Sequence, residues 1–379
     1  MSCCFGPMIS SGTTTPAGVV QSTTPTGVVQ SMTPTGVGLA ATGEARRRAA
    51  TLAREQVWMD AHAHPGRCFL MGLAPDDPWL RAFGAPDPGR AIDDLADGGV
   101  RLCAFATVAD LRVLGMTADG IRSTREFAPG EAAADHRRQI DALAGLEYEP
   151  RCRVVRCAAD LHDVAPGSLG MLFTCEGADF LEGRLDGLGE VYAAGVRSIT
   201  LVHYRINELG DIQTEAPRHG GLTAFGAEVV REMNRLGMVI DLAHATWDVT
   251  RDVLDRSDAP VMISHSHLAR CSDSHPRLLS EEHALAVAKA GGLVAAWPAG
   301  VALATFEDFV DEILRMVDLL GVDHVALGTD MDANYRPVLT SHLQVPDLAA
   351  ALLDRGVGEA EVGLLLGGNL VRLFSRVLG

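Results

Sequence analysis

The chain has 379 residues, of which 47% are apolar and 21% charged, and its formal net charge is −17. This composition is typical of a globular protein and excludes collagen, coiled coil and disorder throughout the chain. The negative charge repels phosphate backbones and anionic lipid, so we expect neither nucleic acid nor a membrane as a partner. No run of 18 apolar residues occurs, which excludes a transmembrane helix, and no basic region precedes an apolar one at the N-terminus, so no secretory signal is predicted.

Cysteine usage predicts the compartment. None of the eight cysteines forms a CxxC pair. In a chain of this size they are expected to be reduced, individually buried thiols, which predicts a cytoplasmic protein.

The first 43 residues differ from the rest of the sequence. They contain no charged residue and hold a nine-residue repeat centred on Pro16, Pro25 and Pro34. Three copies rich in Pro and Gly are too short to stack around a core, so residues 1–43 are predicted to be a disordered low-complexity tail. A mis-assigned start codon and an extension docked on the surface remain as alternatives. The remainder of the chain, 44–379, is then predicted to be a single domain.

Strands and helices alternate along that domain. A helix is predicted over 44–56, and later ones over 89–98, 131–147, 183–195, 223–236, 246–257, 279–290, 305–320 and 359–377. Apolar runs predict strands at 57–62, 100–107, 169–176, 196–203, 237–244, 260–265, 292–297 and 324–330. Eight βα units with strands buried on both faces, and no Gly-rich phosphate turn after the first strand, predict an α/β fold of the (β/α)8 TIM-like barrel type.

Two strand-to-helix connections are unusually long. Residues 108–130 follow the second strand and residues 204–222 follow the fourth. In a barrel both lie on the C-terminal face, where active sites are built, so we expect them to form lids or substrate walls.

Polar side chains collect where the strands end. The relevant segments are Asp60–His64, Cys175–Gly177, His203, Asp241–His244, Ser264–His267 and Thr329–Asp332. Imidazoles and carboxylates that converge on one mouth are what a metal-assisted hydrolase needs, because neighbouring cations activate water and polarise a carbonyl. Glu176 is costly to bury unpaired, which favours a metal partner. His244 and His265 taken singly could instead be core histidines with ordinary hydrogen bonds.

The other histidines are expected to lie outside the metal centre. His267 is predicted to be a neighbour of the ligands or a loop residue. The remaining seven fall on helices, loops or the opposite strand ends and are predicted to be surface or structural residues: His136, His162, His219, His275, His283, His324 and His342.

Several collinear segments over about residues 45–377 resemble one family, the membrane (renal) dipeptidases, which are binuclear zinc peptidases of the metal-dependent hydrolase superfamily. The segments are WMDAHAH, TCEGAD, LGEVYAAGVRSITLVH, GLTAFGAEVVREMNRLGMVIDLAHAT, MISHSHLARCSDSHPRLLSEE, ALGTDMDA and GGNLVRLF. Each is a moderate signal, and their order and spacing together are highly specific. The resemblance implies a TIM-like barrel and two Zn²⁺ ions per chain.

The resemblance also implies roles for single residues. His62 ligates the first metal, Glu176 bridges both metals and takes part in catalysis, and His244 with His265 ligates the second. His203 contacts the scissile carbonyl and helps to stabilise its oxyanion. Arg277 pairs with the free carboxylate of the substrate, although a solvated loop arginine is the alternative. Asp330 moves protons in catalysis or orients its neighbours, and Asp332 is expected to be structural.

One position departs from the family pattern. The family's first-strand motif is His-x-Asp, and His64 stands where the second ligand of the first metal is an aspartate. Imidazole also suits zinc, so His64 is predicted to be a metal ligand at the cost of one negative charge. The loop 204–222 also differs from better-known members, so the dipeptide preference is not carried over.

A neighbouring group of amidohydrolases shares the His-x-His motif and bridges its metals with a carbamylated lysine. Here the single lysine, Lys289, lies in the helix before the seventh strand. Lys289 therefore cannot bridge the metals, so Glu176 is the predicted bridging ligand.

The sequence therefore predicts a zinc-dependent, dipeptidase-like metallopeptidase that cleaves the amide bond of a dipeptide or dipeptide-like small molecule with a free carboxylate. Two alternatives stay open: a specialised natural-product amide hydrolase, and a metal-poor pseudoenzyme that only binds a ligand. Other divalent metals are compatible with the site, and the oligomeric state is left open, with a homodimer as one option.

Overall fold

Residues 41–117, 120–271 and 274–379 are described by the computed structural model. The predicted tail and its proline repeats therefore lie outside the described residues, apart from the tail's last three. Of these, Thr42 caps the first helix by accepting a hydrogen bond from the backbone N–H of Ala45 at 3.2 Å.

The described chain alternates strands and helices. The strands are β1 (Trp58–Ala63), β2 (Val100–Val108), β3 (Leu114–Thr117), β4 (Gly120–Ser123), β5 (Cys152–Val154), β6 (Leu169–Glu176), β7 (Val196–Thr200), β8 (Val239–Asp241), β9 (Met262–Ser266), β10 (Leu293–Ala296) and β11 (Val325–Leu327). The helices are α1 (Gly43–Glu55), α2 (Pro78–Phe83), α3 (Pro88–Asp97), α4 (Glu131–Gly145), α5 (Ala158–His162), α6 (Gly187–Ala193), α7 (Ala224–Leu236), α8 (Trp247–Leu254), α9 (Glu281–Lys289), α10 (Phe306–Leu320), α11 (Val345–Asp354), α12 (Glu359–Gly363) and α13 (Asn369–Leu378).

Eight parallel strands form the sheet in the order β1-β2-β6-β7-β8-β9-β10-β11, with β5 added beside β6. Each of the eight corresponds to one predicted apolar run, and each is almost wholly buried, as expected for a sheet covered on both faces. The predicted α/β barrel is confirmed as a nearly closed eight-stranded barrel with helices around it.

The barrel closes between β1 and the end of β11 without a regular ladder. The backbone N–H of His64 donates to the carbonyl of Met331 at 2.9 Å, and that of Asp330 donates to His62 at 2.7 Å. The buried Asp60 carboxylate adds a side-chain link, because it accepts from both the N–H (2.9 Å) and the hydroxyl (2.5 Å) of Thr329. The closing seam thus fixes the segments that carry His62, His64 and Asp330.

Local sequence explains where several helices begin. The hydroxyls of Thr223, Thr246, Ser280 and Thr305 each accept a hydrogen bond from a backbone N–H three residues later, at the starts of α7 to α10. Since each of these helices follows a strand or its loop, the caps set where the chain turns back along the barrel.

The C-terminal segment differs from the prediction of one helix over 359–377. The helix is interrupted at residues 364–368, between α12 and α13. At Gly367 the chain passes so close to β1 that an added Cβ would lie 2.1 Å from the carbonyl oxygen of Val57. The interruption therefore follows from tertiary packing against the start of the first strand.

Several features were not predicted. Helices α2, α5 and α11 and strand β5 are absent from the predicted set, and the connection 108–130 contains the antiparallel β3–β4 hairpin. The six described cysteines are free, but Cys157 and Cys271 are exposed, so the prediction that every thiol is buried is wrong for these two. Within the described ranges, no helix combines the length and the apolar character needed to cross a membrane.

Candidate metal centre

The strand ends bring six polar side chains together. His62 lies in β1 and His64 just beyond it, Glu176 ends β6, His203 and His244 follow β7 and β8, and His265 lies in β9. Each is at most 6% exposed. Because all these strands run parallel, their carboxyl ends meet at one mouth of the barrel.

Glu176 is the centre of this set. One carboxylate oxygen, Oε1, lies 3.0 Å from Nε2 of His244 and 3.5 Å from Nε2 of both His62 and His265. The other, Oε2, lies 3.3 Å from Nε2 of His64 and 3.4 Å from Nε2 of His203. One carboxylate therefore faces five imidazoles with both of its oxygens.

The charges in the centre follow from burial and these contacts. Burial raises the pKa of Glu176, but the positive charges of His203 and His62 and the hydrogen bond with His244 outweigh it and hold that pKa well below its usual range. Burial holds the pKa values of His244 and His265 well below that of free histidine. The ionised Glu176 carboxylate beside the neutral rings of His244 and His265 is the protonation state in which these three groups can bind a metal ion.

His64 behaves differently from those two histidines. Burial lowers its pKa, but hydrogen bonds with Asp330 and Glu176 outweigh burial and raise the pKa to about 10. Nε2 of His64 lies 3.5 Å from Oδ1 of Asp330. A cation at this position would replace the proton that the two carboxylates otherwise hold on the ring.

The donor set fits a metal centre. Nε2 of His62 is buried and has no hydrogen-bond partner among the described residues, and Nε2 of His244 lies 3.1 Å from Nε2 of His265. Two imidazole nitrogens this close suit ligands of one ion, since ligands at about 2.0–2.1 Å in a tetrahedral site are spaced by roughly 3.3 Å. At this centre, three buried groups have ligand atoms within 4.8 Å of one another: His62–Glu176–His265, His62–His64–Asp330 and Glu176–His203–His244.

Neighbouring groups fix the orientation of the rings. The Nδ1–H of His64 donates to the carbonyl of Ala106 at 3.0 Å, and Nδ1 of His265 hydrogen-bonds with the Ser264 hydroxyl at 2.9 Å. In both rings the second nitrogen is thereby directed at Glu176, which is the usual arrangement around a metal ligand. His244 and Asp330 have positive φ values of 66° and 53°, a conformation that is rare for residues with a side chain and is concentrated at functional sites.

His203 is held by a residue that was not predicted. Its Nδ1–H donates to Oδ1 of Asp110 at 2.7 Å, while the other oxygen of Asp110 accepts the backbone N–H of Tyr204 at 3.0 Å. Asp110 is fully buried and lies two residues beyond the end of β2. The signal was present in the sequence, because the second strand is followed by an acidic residue as other strands are.

Arg277 lines the same cleft as Glu176 and the surrounding histidines, and only part of its guanidinium is hydrogen-bonded. The side chain is 1% exposed, its Nη1 donates to Oε1 of Gln213 at 2.8 Å, and its guanidinium carbon lies 5.2 Å from the centre of the Trp297 ring. Nε and Nη2 are buried and have no hydrogen-bond partner among the described residues. These two nitrogens form one edge of the guanidinium, the edge that a carboxylate can pair with through both oxygens.

Gln213 also links Arg277 to the candidate metal ligands. Its backbone N–H donates to the carbonyl of His244 at 2.8 Å, in the long connection after β7. Sequence patterns gave no signal for Gln213, since an uncharged amide in a long loop has no diagnostic spacing.

The structure brings all eight sequence-predicted site residues to one cleft or its floor. They are His62, His64, Glu176, His203, His244, His265, Arg277 and Asp330. Asp332 accepts the backbone N–H of Gly66 at 2.7 Å, a structural contact as predicted. His267 is buried just beyond β9, outside the three ligand groups.

Of the seven histidines predicted to be surface or structural residues, three are buried in the structure. His136, His283 and His342 hydrogen-bond with Thr107, Thr250 and Asp60, respectively. They are structural residues rather than surface ones.

Comparison with known proteins supports the resemblance to the dipeptidase family. The model of the membrane dipeptidase family (peptidase family M19) matches residues 95–378, most of the chain, and therefore begins after His62 and His64. The chain is 32% identical over 250 residues to dipeptidase verJ of Clonostachys rogersoniana, which is 63% of this chain and 64% of that protein. It is 34% identical over 237 residues to dipeptidase aclJ of Aspergillus oryzae, which is 58% of this chain and 55% of that protein. The chain thus spans less than two thirds of the length of these curated relatives.

Solved structures share the fold. A probable dipeptidase, PvdM, from Pseudomonas aeruginosa superposes with a TM-score of 0.73 at 19% identity, over 88% of this chain and 98% of the other. A metallopeptidase from Rhodobacter sphaeroides, solved with a phosphinate mimic of the dipeptide L-Ala-D-Ala, superposes with a TM-score of 0.70 at 22% identity. That superposition covers 85% of this chain and 99% of the other. At this level of identity the likeness concerns the barrel alone. With the family model matched over most of its length, the chain belongs to the membrane dipeptidase family.

Proposed function

We propose that this chain is a binuclear zinc hydrolase that cleaves the amide bond of a dipeptide or dipeptide-like small molecule with a free carboxylate. One observation carries the proposal. The buried Glu176 carboxylate faces five imidazoles at 3.0–3.5 Å, in the cleft where the Arg277 guanidinium keeps one edge free. Family membership supports the reaction class, because the relatives reported above are named dipeptidases.

The candidate ligands divide into two sets that share Glu176. His62 and His64 would hold the first ion and His244 with His265 the second, with Glu176 between them. The close approach of His244 to His265 supports the second pair, and the contact of His64 with Glu176 supports the first. When bound, two zinc ions would activate a water molecule and polarise the scissile carbonyl.

His203 would act on the carbonyl oxygen of the substrate. Burial lowers its pKa, but the charges of Asp110 and Glu176 raise it to a greater extent, which favours the doubly protonated ring. Because Nδ1–H is engaged by Asp110, the Nε2–H is the donor that can face a developing oxyanion.

Asp330 would handle the proton. Its carboxylate lies in the cleft beside His64 and, at 9% exposed, is the most accessible of the carboxylates at the centre. It could accept a proton from the attacking water and pass it to the leaving amine, since both sit at the reacting amide.

Arg277 would hold the substrate's carboxylate. Burial lowers the pKa of this guanidinium, which means that the buried cation lacks full compensation within the protein. A substrate carboxylate on the free Nε–Nη2 edge would supply the missing partner and place the amide bond over Glu176.

The experiment is a joint measurement of metal content and hydrolysis. The full chain, stripped by a chelator and reloaded with zinc, is analysed for zinc per chain and assayed on a dipeptide panel. About two zinc ions per chain and zinc-restored cleavage support the proposal. Zinc near zero with no cleavage contradicts it and leaves a ligand-binding pseudoenzyme.

A further inference from the structure

One side of the cleft is an apolar wall, defined as Phe69, Trp79, Phe83, Leu111, Leu114 and Ile121. These residues come from the turn after β1, from α2, and from the connection after β2 with its β3–β4 hairpin. They line one side of the same cleft that contains His64, Glu176 and Arg277.

The wall begins at a candidate metal ligand and continues outward. The ring of His64 lies 5.1 Å from that of Phe69, Phe69 lies 6.3 Å from Phe83, and Phe83 lies 5.6 Å from Trp79. Phe69 is 4% exposed, whereas Trp79 and Phe83 are only half-buried. Apolar surface therefore runs from the reacting centre to the rim of the cleft.

Arg277 is connected to the other carboxylate oxygen of Glu176 through a different set of rings. Its guanidinium packs over Trp297, and Trp297 lies 5.8 Å from His265. Nε2 of His265 lies 3.5 Å from Oε1 of Glu176, whereas Nε2 of His64, the ring beside Phe69, lies 3.3 Å from Oε2. A molecule that binds both Arg277 and the metal centre therefore has a fixed direction in the cleft.

We propose that this enzyme selects dipeptide-like substrates with a large apolar side chain on the acyl residue, the one N-terminal to the scissile bond. With the free carboxylate on Arg277 and the amide over Glu176, the acyl residue is the part that reaches the wall. This inference rests on the proposed function and adds the substrate class to it. Burial of an apolar side chain on the wall favours binding by removing that surface from water.

The test compares Phe-Ala, Gly-Ala and Asp-Ala with the zinc-loaded full chain. We expect kcat/KM for Phe-Ala to exceed that for Gly-Ala about tenfold or more, and Asp-Ala to be the poorest of the three. Trp79→Ala should lower kcat/KM for Phe-Ala by a larger factor than for Gly-Ala, so that the ratio of the two kcat/KM values narrows. Ile121→Ser, on the hairpin outside the barrel, is a second variant with the same expectation, and Tyr148→Ala, an exposed aromatic away from the cleft, is the matched control.

Calorimetric binding of the same dipeptides separates this inference from the proposed function. Selective binding of Phe-Ala without hydrolysis would contradict the proposed function but support selection of apolar side chains by the wall. Equal kcat/KM values for Phe-Ala and Gly-Ala, or equal losses of kcat/KM for both in Trp79→Ala, would contradict selection by the apolar wall. Hydrolysis itself would still support the proposed function. If neither dipeptide is bound or cleaved, both are overturned.

Discussion

Asp110 and His203 form a buried hydrogen bond of 2.7 Å in which the Nδ1–H of the imidazole donates to the carboxylate. The second oxygen of Asp110 is engaged by the backbone N–H of Tyr204, the residue that follows His203. Asp110 therefore fixes the ring, its protonation and the backbone beside it. It comes from the connection after β2, so two strand ends cooperate in placing one donor.

This pair gives the first prediction. Asp110→Asn keeps the size of the side chain but removes the charge that raises the pKa of His203, so the Nε2–H donor is lost at neutral pH. We expect kcat to fall about 10²-fold with KM changed little, because the donor acts on the transition state. The pH profile of kcat separates this from a loss of structure, which would lower the amount of active enzyme at every pH. Asp248→Asn, on the surface of α8, is the control.

The second prediction concerns the bridging carboxylate. Glu176→Gln should remove activity and at least one metal ion, because a neutral amide binds two cations poorly. Zinc per chain by elemental analysis is the measurement, with Glu190→Gln on the exposed face of α6 as the control. Two ions and full activity in the Glu176 variant would show that another residue bridges.

Arg277 gives the third prediction. Arg277→Met should raise KM strongly for substrates with a free C-terminal carboxylate and change it little for the matching C-terminal amides. Loss of a desolvated charge-assisted pair costs on the order of 2–5 kcal/mol. Gln213→Leu should act in the same direction but less, since the guanidinium keeps its charge and loses only its fixed orientation. Equal losses for acids and amides would exclude the carboxylate-binding role.

The sequence was informative wherever a residue type and its place on a strand were both diagnostic. The alternation of apolar runs with helical segments predicted the barrel. Histidines and carboxylates at the ends of those runs predicted the set around Glu176, since burial and the parallel direction of the strands determine where those side chains meet. The long connections 108–130 and 204–222 were expected to form lids or substrate walls. The individual residues in them, Gln213 and the members of the apolar wall, could not be named, because loop residues acquire their partners only through tertiary contacts. The break at Gly367 was missed for the same reason: it depends on the nearby carbonyl of Val57, over 300 positions earlier.

The fourth prediction is a dependence of stability on pH. His283 is buried beside Thr250, and burial lowers its pKa to about 4. Between the unfolded value of about 6.5 and this folded value, the unfolded chain binds a proton that the folded chain does not. The free energy of unfolding should therefore fall as the pH drops through this window, by up to about 1.4 kcal/mol per pH unit.

His283→Gln tests this dependence, because the amide can keep the hydrogen bond to Thr250 but does not titrate. Urea unfolding at pH 7 and pH 4.5 should show a smaller difference in this variant than in the parent chain. His162→Gln, at an exposed position, should leave the difference unchanged. An identical pH dependence in all three proteins would exclude His283 as a contributor.

The last prediction concerns His64, the residue that departs from the family's His-x-Asp motif. His64→Asp should keep two metal ions, because a carboxylate reaches zinc at about 2.0–2.2 Å, close to the distance for imidazole. The substitution adds negative charge to a site that already holds Glu176 and Asp330, so the activated water becomes a weaker acid. The acid limb of the kcat/KM profile should then move to higher pH. His64→Ala should instead lose the first ion or bind it weakly, as zinc titration of the stripped protein would report. If the alanine variant binds two ions and its pH profile is unchanged, His64 is a neighbour of the site and not a ligand. The first ion would then be held by His62, Glu176 and a further residue such as Asp330, which lies in one ligand group with His62 and His64.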